Sequence, residues 1–246
     1  PAGSARTVKE LREMANSLTG RKEFDESLLR IEQNLLKLGS LAEEAISGAI
    51  WALQKQDDAL ALKVIEGDDV LDDLTQEINE QALMMIARFQ PVALDLRTIS
   101  SILHMSTDLE RIGDLGSGVA KVARKIFHEP LIKPLIDIPR MGERIREMID
   151  GALKAFMNRD CALAREVCAM DDEVDDLDRQ IFRELLMLMM QNPRNIEQAT
   201  HLILISRNLE RAGDHVTNLC EHIVYMTTGT FIKAGDFRRP HEGKNE

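Results

Sequence analysis

The sequence carries the same pattern twice, and that duplication limits the available folds more than any other feature. Asp57, Ala59, Leu60, Ala61, Val64, Asp68, Asp69, Asp72, Asp73 and Leu74 reappear 103 positions later as Asp160, Ala162, Leu163, Ala164, Val167, Asp171, Asp172, Asp175, Asp176 and Leu177. After a three-residue deletion near Asn192-Pro193 the offset becomes 100. Leu109-Glu110-Arg111 with Gly113-Asp114 then returns as Leu209-Glu210-Arg211 with Gly213-Asp214. A chain built from one repeated unit must fold that unit twice.

The period within each repeat is helical. Ile31, Leu35, Leu38, Ala42, Ala45 and Ala49 step by four and three from about Phe24 to Lys55, the seam of a bundled helix. Asp57 is placed to cap a second helix that runs to about Arg88, with Val64, Leu71, Leu74 and Ile78 inward. Phe89-Gln90-Pro91 turns the chain into a third helix. Its seam is Ile102, Met105, Leu109, Ile112, Val119 and Ile126, and it ends near Pro130. The pattern restarts with Asp137 as a cap and Pro139 in the first turn. The expected fold is all-α, two tandem three-helix bundles of up-down-up helices in the manner of spectrin repeats. The first spans residues 23–129 and the second 130–230, with an extension at 1–22 and a tail at 231–246; only Val8 to Asn16 of the extension has a short helical pattern.

Composition agrees. Aromatic residues make up 4% of the chain while Leu, Ile, Ala and Met dominate, which suits helix-on-helix packing. The formal charge of -11 disfavours nucleic acid, whose phosphates would be repelled, and favours cations or basic partners. Apolar runs are far shorter than the ~20 residues that span a bilayer. No signal-peptide pattern opens the chain, and Cys161, Cys168 and Cys220 form neither paired zinc-site spacing nor a disulfide framework, so a cytoplasmic setting is expected.

The chemistry-bearing residues are acids on neighbouring helices. Asp68 and Asp72 lie one turn apart, as do Glu110 and Asp114; their repeats are Asp171 with Asp175 and Glu210 with Asp214. Like charges one turn apart destabilise a helix by roughly 0.2–0.5 kcal/mol per pair, so a cation would relieve them. Set against the apolar seam, Glu110 and Asp114 fall on an open face. Oxygen ligands suit Mg, Ca or Mn, and carboxylate-rich sites also take iron or zinc. His215 and Asn218 add donors in the second half alone. An isolated acidic run is most simply a solvated face with Arg111 and Arg211 as local partners; retention of the same positions in two diverged halves weighs toward a site.

Catalysis has no evident home. No Glu-x-x-His pair, phosphate-binding glycine loop or nucleophile elbow is present. A hydrolase holding two ions on these carboxylates, or a metal-binding adaptor, remain the alternative readings.

The stretches Val64-Ile65-Glu66-Gly67-Asp68, Pro91-Val92-Ala93-Leu94-Asp95-Leu96-Arg97, Asp108-Leu109-Glu110-Arg111-Ile112-Gly113-Asp114 and Asn208-Leu209-Glu210-Arg211-Ala212-Gly213-Asp214-His215 resemble the PhoU family, over about Phe24 to Gly229. The resemblance implies two three-helix bundles whose Glu/Asp-x-x-x-Asp motifs can carry iron or zinc clusters on the surface. Asp68, Asp72, Glu110, Asp114, Asp171, Asp175, Glu210 and Asp214 match those motifs, with Asn218, Arg111 and Arg211 in support. Many relatives place Asn one turn after the motif aspartate. Asn218 meets that pattern, but Gly118 stands at the first-half position, which predicts weaker metal occupancy there. The implied function is a cytoplasmic, non-catalytic negative regulator of phosphate uptake and phosphate-starvation signalling. Its implied partners are a phosphate ABC transporter ATPase and a sensor histidine kinase, and it would be peripheral to the membrane through them. A homodimer is compatible with the sequence.

Overall fold

The structure, a computed structural model, describes residues 2–233 and 235, with side chains from residue 20 onward. Among the described residues there are helices and turns but no strand. In chain order they are α1 (Ala2–Lys55), α2 (Asp58–Glu66), α3 (Asp68–Phe89), α4 (Ala93–Ala123), α5 (Asp137–Asn158), α6 (Cys161–Gln191) and α7 (Ile196–Thr228).

The boundaries follow local chemistry. Asp57 caps α2 by accepting from the Leu60 amide at 3.0 Å. Its repeat, Asp160, caps α6 by accepting from Ala162 and Leu163 at 2.9 and 3.0 Å. Each cap is worth about 1 kcal/mol. Gln90 and Arg159 end α3 and α5 in the left-handed region, at φ 48° and 52°.

Three expectations need correction. The single helix expected from Asp57 to Arg88 is two, interrupted at Gly67, whereas α6 passes unbroken through Met170 at the equivalent position. Glycine costs a helix interior about 1 kcal/mol, so the interruption falls where continuity is weakest. Asp137 lies in the first turn of α5 rather than at its cap, which is Ile136. The backbone of α1 begins at Ala2, so the extension expected at 1–22 is helical and not limited to Val8 to Asn16. The tail after residue 235 lies outside the described residues.

The inward seams hold. Ile31, Leu35, Leu38, Ile78, Ile102, Met105, Leu109, Ile112 and Val119 are completely buried. Helices α1 to α4 form one unit and α5 to α7 the other, and the core is continuous through both. The halves meet along two antiparallel seams. In one, α1 faces α5, with Gly39 against Leu153 and Gly142 against Ile50. In the other, α4 faces α7, with Arg97 beside Gly229, His104 on His222 and Gly118 by Asn208. Helices α3 and α6 lie on the outer sides of α4 and α7, and each acidic cluster spans one such outer pair.

Candidate metal centre

In the first half, α3 supplies Asp68 and Asp72, and α4 supplies Glu110 and Asp114. Gly113 makes their approach close: a Cβ there would stand 2.5 Å from Leu71 Cδ2, so only glycine lets the helices come this near without displacing Leu71. The result is convergence. One carboxylate oxygen each from Asp72, Glu110 and Asp114 lies within 4.8 Å of the others, with Asp72 exposed and the other two half-buried.

Burial and then mutual repulsion raise the proton affinities of Glu110 and Asp72. Burial raises the Glu110 carboxyl above its ordinary value, and Asp114 adds to this against the pull of Arg111. Asp72 is raised by burial, then by Asp68 and Asp114. Local cations compensate in part: Arg111 Nη1 is 2.8 Å from Asp114 and its Nε 3.4 Å from Glu110, while Lys121 Nζ is 3.7 Å from Asp68. Three hard oxygen donors on two rigid helices, facing solvent on one side, form an arrangement that fits a Mg, Mn, Ca or iron-class ion.

The second half uses the same positions differently. Asp171 is buried, Asp175 and Glu210 are half-buried, and only Asp214 is exposed. The open-face expectation fails for Asp171 because its position belongs to the apolar seam, four residues after Val167 and opposite Gly213. A Cβ on Gly213 would sit 2.4 Å from Asp171 Oδ1. A further acid, Asp178, is buried where the first half has Thr75. Its carboxylate accepts from Ser206 Oγ at 2.7 Å and pairs with Arg207 Nη1 at 2.9 Å. Arg207 also reaches Glu210 at 3.8 Å, so this half carries its own positive charge inside the acidic group. Glu210 is raised chiefly by burial, then by Asp214, with Arg207 opposing. Among the described residues, the first half alone brings three acid oxygens into mutual ligand range.

Comparison with known proteins decides the family. The PhoU domain model matches residues 35–123 and again 138–223. The chain belongs to the PhoU family. It is 38% identical over 217 residues to a phosphate-specific transport system accessory protein PhoU homolog of Clostridium acetobutylicum, covering 88% of this chain and 99% of that protein. It is 39% identical to the Aquifex aeolicus protein of the same name, covering 86% of this chain and 94% of that one. The crystal structure of PhoU from Pseudomonas aeruginosa superimposes with a TM-score of 0.81 at 36% identity, covering 84% of this chain and all of that one. The phosphate transport system regulatory protein PhoU from Streptococcus pneumoniae gives 0.80 at 30% identity, covering 85% of this chain and 99% of that one.

Within this PhoU fold the supporting residues divide. Arg111 pairs with its own cluster, and Arg211 is exposed. Asn218 and His215 do not serve the second cluster as expected. They turn across the α4–α7 seam, where Asn218 Nδ2 donates to Asp108 Oδ1 at 3.2 Å and His215 Nδ1 meets the same oxygen at 2.8 Å. Being on α7, they face whatever α4 presents, and spacing along one helix does not reveal this. The Gly118 substitution therefore bears on the seam, where Gly118 lies against Asn208, and not on the first cluster's acids. Asp178 and Arg207, which sequence reasoning missed, break the repeat at Thr75 and Thr107; that departure was the available signal.

Proposed function

We propose that this chain is an accessory regulator of phosphate uptake that lowers phosphate-starvation signalling when phosphate is abundant. It works without catalysis, at the cytoplasmic side, through contacts with a phosphate ABC transporter ATPase and a sensor histidine kinase. The observation that carries the reading is the nearly full-length likeness to proteins named as accessory to phosphate-specific transport. No helix among the described residues is long and apolar enough to cross a membrane, which accords with a role taken up through partners.

The acidic clusters are the docking and ion-binding part of this reading. Asp72, Glu110 and Asp114 hold the stronger metal site, with Asp68 beside them. Asp175, Glu210 and Asp214, beside the buried Asp171, form a weaker one because their oxygens do not converge as those of Asp72, Glu110 and Asp114 do. A metal ion on the first cluster converts a patch of repelling carboxylates into a fixed, less negative surface that a partner can read.

The test is replacement of the native gene by one encoding D72N/E110Q/D114N, with phosphate-regulated gene expression measured while phosphate is abundant. The reading predicts derepression with helicity and abundance of the protein unchanged. Full repression by this folded variant would count against a role for the cluster, and full repression in a deletion strain would count against the regulator itself.

A further inference from the structure

The solvent face of α1 differs from its repeat in a way that packing within the chain does not explain. Ser40, Glu44, Ser47, Trp51 and Gln54 share that face by helical spacing, and 103 positions later the same face of α5 carries Glu143, Glu147, Asp150, Lys154 and Met157. On α5 the charges are answered locally. Glu143 meets Arg146 at 2.5 Å, Glu147 meets Arg144 at 2.6 Å and Asp150 meets Lys154 at 2.6 Å, as on any solvated helix surface. On α1 the one charge is Glu44, and the single tryptophan of the chain stands there 65% exposed. A lone indole on a charge-poor face leaves a large apolar area in water.

Two grooves flank this face and meet at Ser47. One, of about 330 Å³, runs between α1 and α2, lined by Leu41, Leu60, Val64 and Leu71 with Glu44 and Lys63. The other, of about 620 Å³, runs between α1 and α5, lined by Ile50, Trp51 and Pro139 with Gln54 and the ion-paired Arg140 and Arg146. Helix approach does not account for the first groove, since a Cβ on Gly48 would stand 2.8 Å from Val64 and one on Gly151 2.7 Å from Val167. Side chains account for it. Leu41 and Gly67 stand where the second half has Arg144 and Met170, and Met170 packs on the core. The backbone does not demand glycine at 67: φ −70° and ψ −14° are ordinary helical values, and a Cβ would meet only the Lys63 and Val64 carbonyl oxygens, at 3.4 Å. Gly67 leaves room for a long apolar side chain that α6 supplies for itself.

We propose that the outer face of α1 docks an amphipathic helix of a protein partner, which crosses α1 at Ser47, places an apolar side chain in each groove and covers Trp51. The grooves follow one another along α1, residues 41–48 on its α2 side and 47–54 on its α5 side, so a helix crossing obliquely enters both. From Leu41 to Gln54 is about 20 Å, the length of a helix of about 13 residues. Charge sets the register. Glu44 and Lys63 line one groove with no ion-pair partner among the described residues, so the helix that fits carries a cation opposite Glu44 and an anion opposite Lys63, on either side of its apolar anchor. Arg140 and Arg146 are already paired and add no further demand. This balanced, apolar-centred contact is separate from the acidic clusters, which fit cations. The choice of partner rests on the regulatory reading above: the transporter ATPase or the sensor kinase.

The test uses the full chain labelled with fluorotryptophan, in which Trp51 gives a single fluorine NMR signal, mixed with the purified ATPase and with the cytoplasmic part of the sensor kinase. The proposal predicts that one of them binds, shifts that signal and shields it from a soluble paramagnetic quencher. Calorimetry then compares S47D/W51K, which installs the α5 pair, and G67M, which installs the α6 side chain. Binding should weaken by about 30-fold or more in S47D/W51K, the scale of an interface tryptophan, and weaken also in G67M, with helicity unchanged in both. Binding to the wild type with the Trp51 signal unmoved, or equal affinity of a folded S47D/W51K, overturns the docking face and leaves the regulatory reading standing. Binding of neither partner overturns both. A signal that moves with the concentration of the chain alone assigns the face to a second copy and overturns the partner helix. Should the variants not fold, the wild-type signal decides: shifted and shielded by a partner supports the face, and unmoved refutes it.

Discussion

The two acidic clusters carry one repeated pattern, yet the first gathers its carboxylates at the surface while the second takes two acids into the core. The first leaves one oxygen each of Asp72, Glu110 and Asp114 within 4.8 Å of the others, with Arg111 paired to Asp114 at 2.8 Å. The second draws Asp171 and Asp178 into the core and answers Asp178 with Ser206 and Arg207. A duplicated pattern can therefore keep its carboxylates while changing their burial and the side chains that meet them. Retention of acids does not by itself mean retention of a metal site.

The sharpest way to break this contrast is to add Mn²⁺ to the chelator-treated protein. At an ion concentration 100 times the dissociation constant, binding to the folded state alone stabilises by about 2.7 kcal/mol. Denaturant titration should show most of that gain vanish in D72N/E110Q/D114N and little of it vanish in D175N/E210Q/D214N. Equal losses from the two would erase the difference between the halves.

Next in size is Arg207→Ala. Breaking a fully buried ion pair costs about 3–5 kcal/mol, but Arg207 is half-exposed, so a loss of about 2 kcal/mol is expected. Pairing it with Asp178→Thr, which removes the buried carboxylate and installs the side chain the first half has at Thr75, should recover most of that loss. A double variant as unstable as the single would show that Asp178 is not what Arg207 serves.

The glycines sharpen the comparison further. Gly213→Ala drives a methyl into the buried Asp171 carboxylate, whereas Gly113→Ala meets the end of the Leu71 side chain, which can rotate. Thermal unfolding should show a loss of about 1–2 kcal/mol for the first and less for the second, after the helix-propensity gain of alanine is included. Smallest are the caps. Asp160→Ala, which frees two amides, should cost about 1 kcal/mol, and Asp57→Ala, which frees one, somewhat less.

The fold was legible because apolar period and duplication speak for the same elements. Ile31, Leu35 and Leu38 step along one face and are buried, and Asp57 and Asp160 cap the helices that follow them. The site was legible up to the identity of the acids. Their directions were not, since a helix face that reads as polar can still belong to the core, as Asp171 does between Val167 and Val174. Partners across a seam were hidden for a related reason. Asn218 and His215 follow the motif of their own helix in sequence, but antiparallel packing delivers them to Asp108 on α4. Arg207 and Asp178 were hidden because attention to what the repeats share passes over the positions where they differ.

The most direct measurement is a crystal structure of the protein soaked in Mn²⁺, with anomalous difference density read at both clusters. The account predicts a peak among Asp72, Glu110 and Asp114, with Arg207 still on Asp178 and a weaker peak or none among Asp175, Glu210 and Asp214. A stronger peak in the second half, or an empty first cluster, would contradict it.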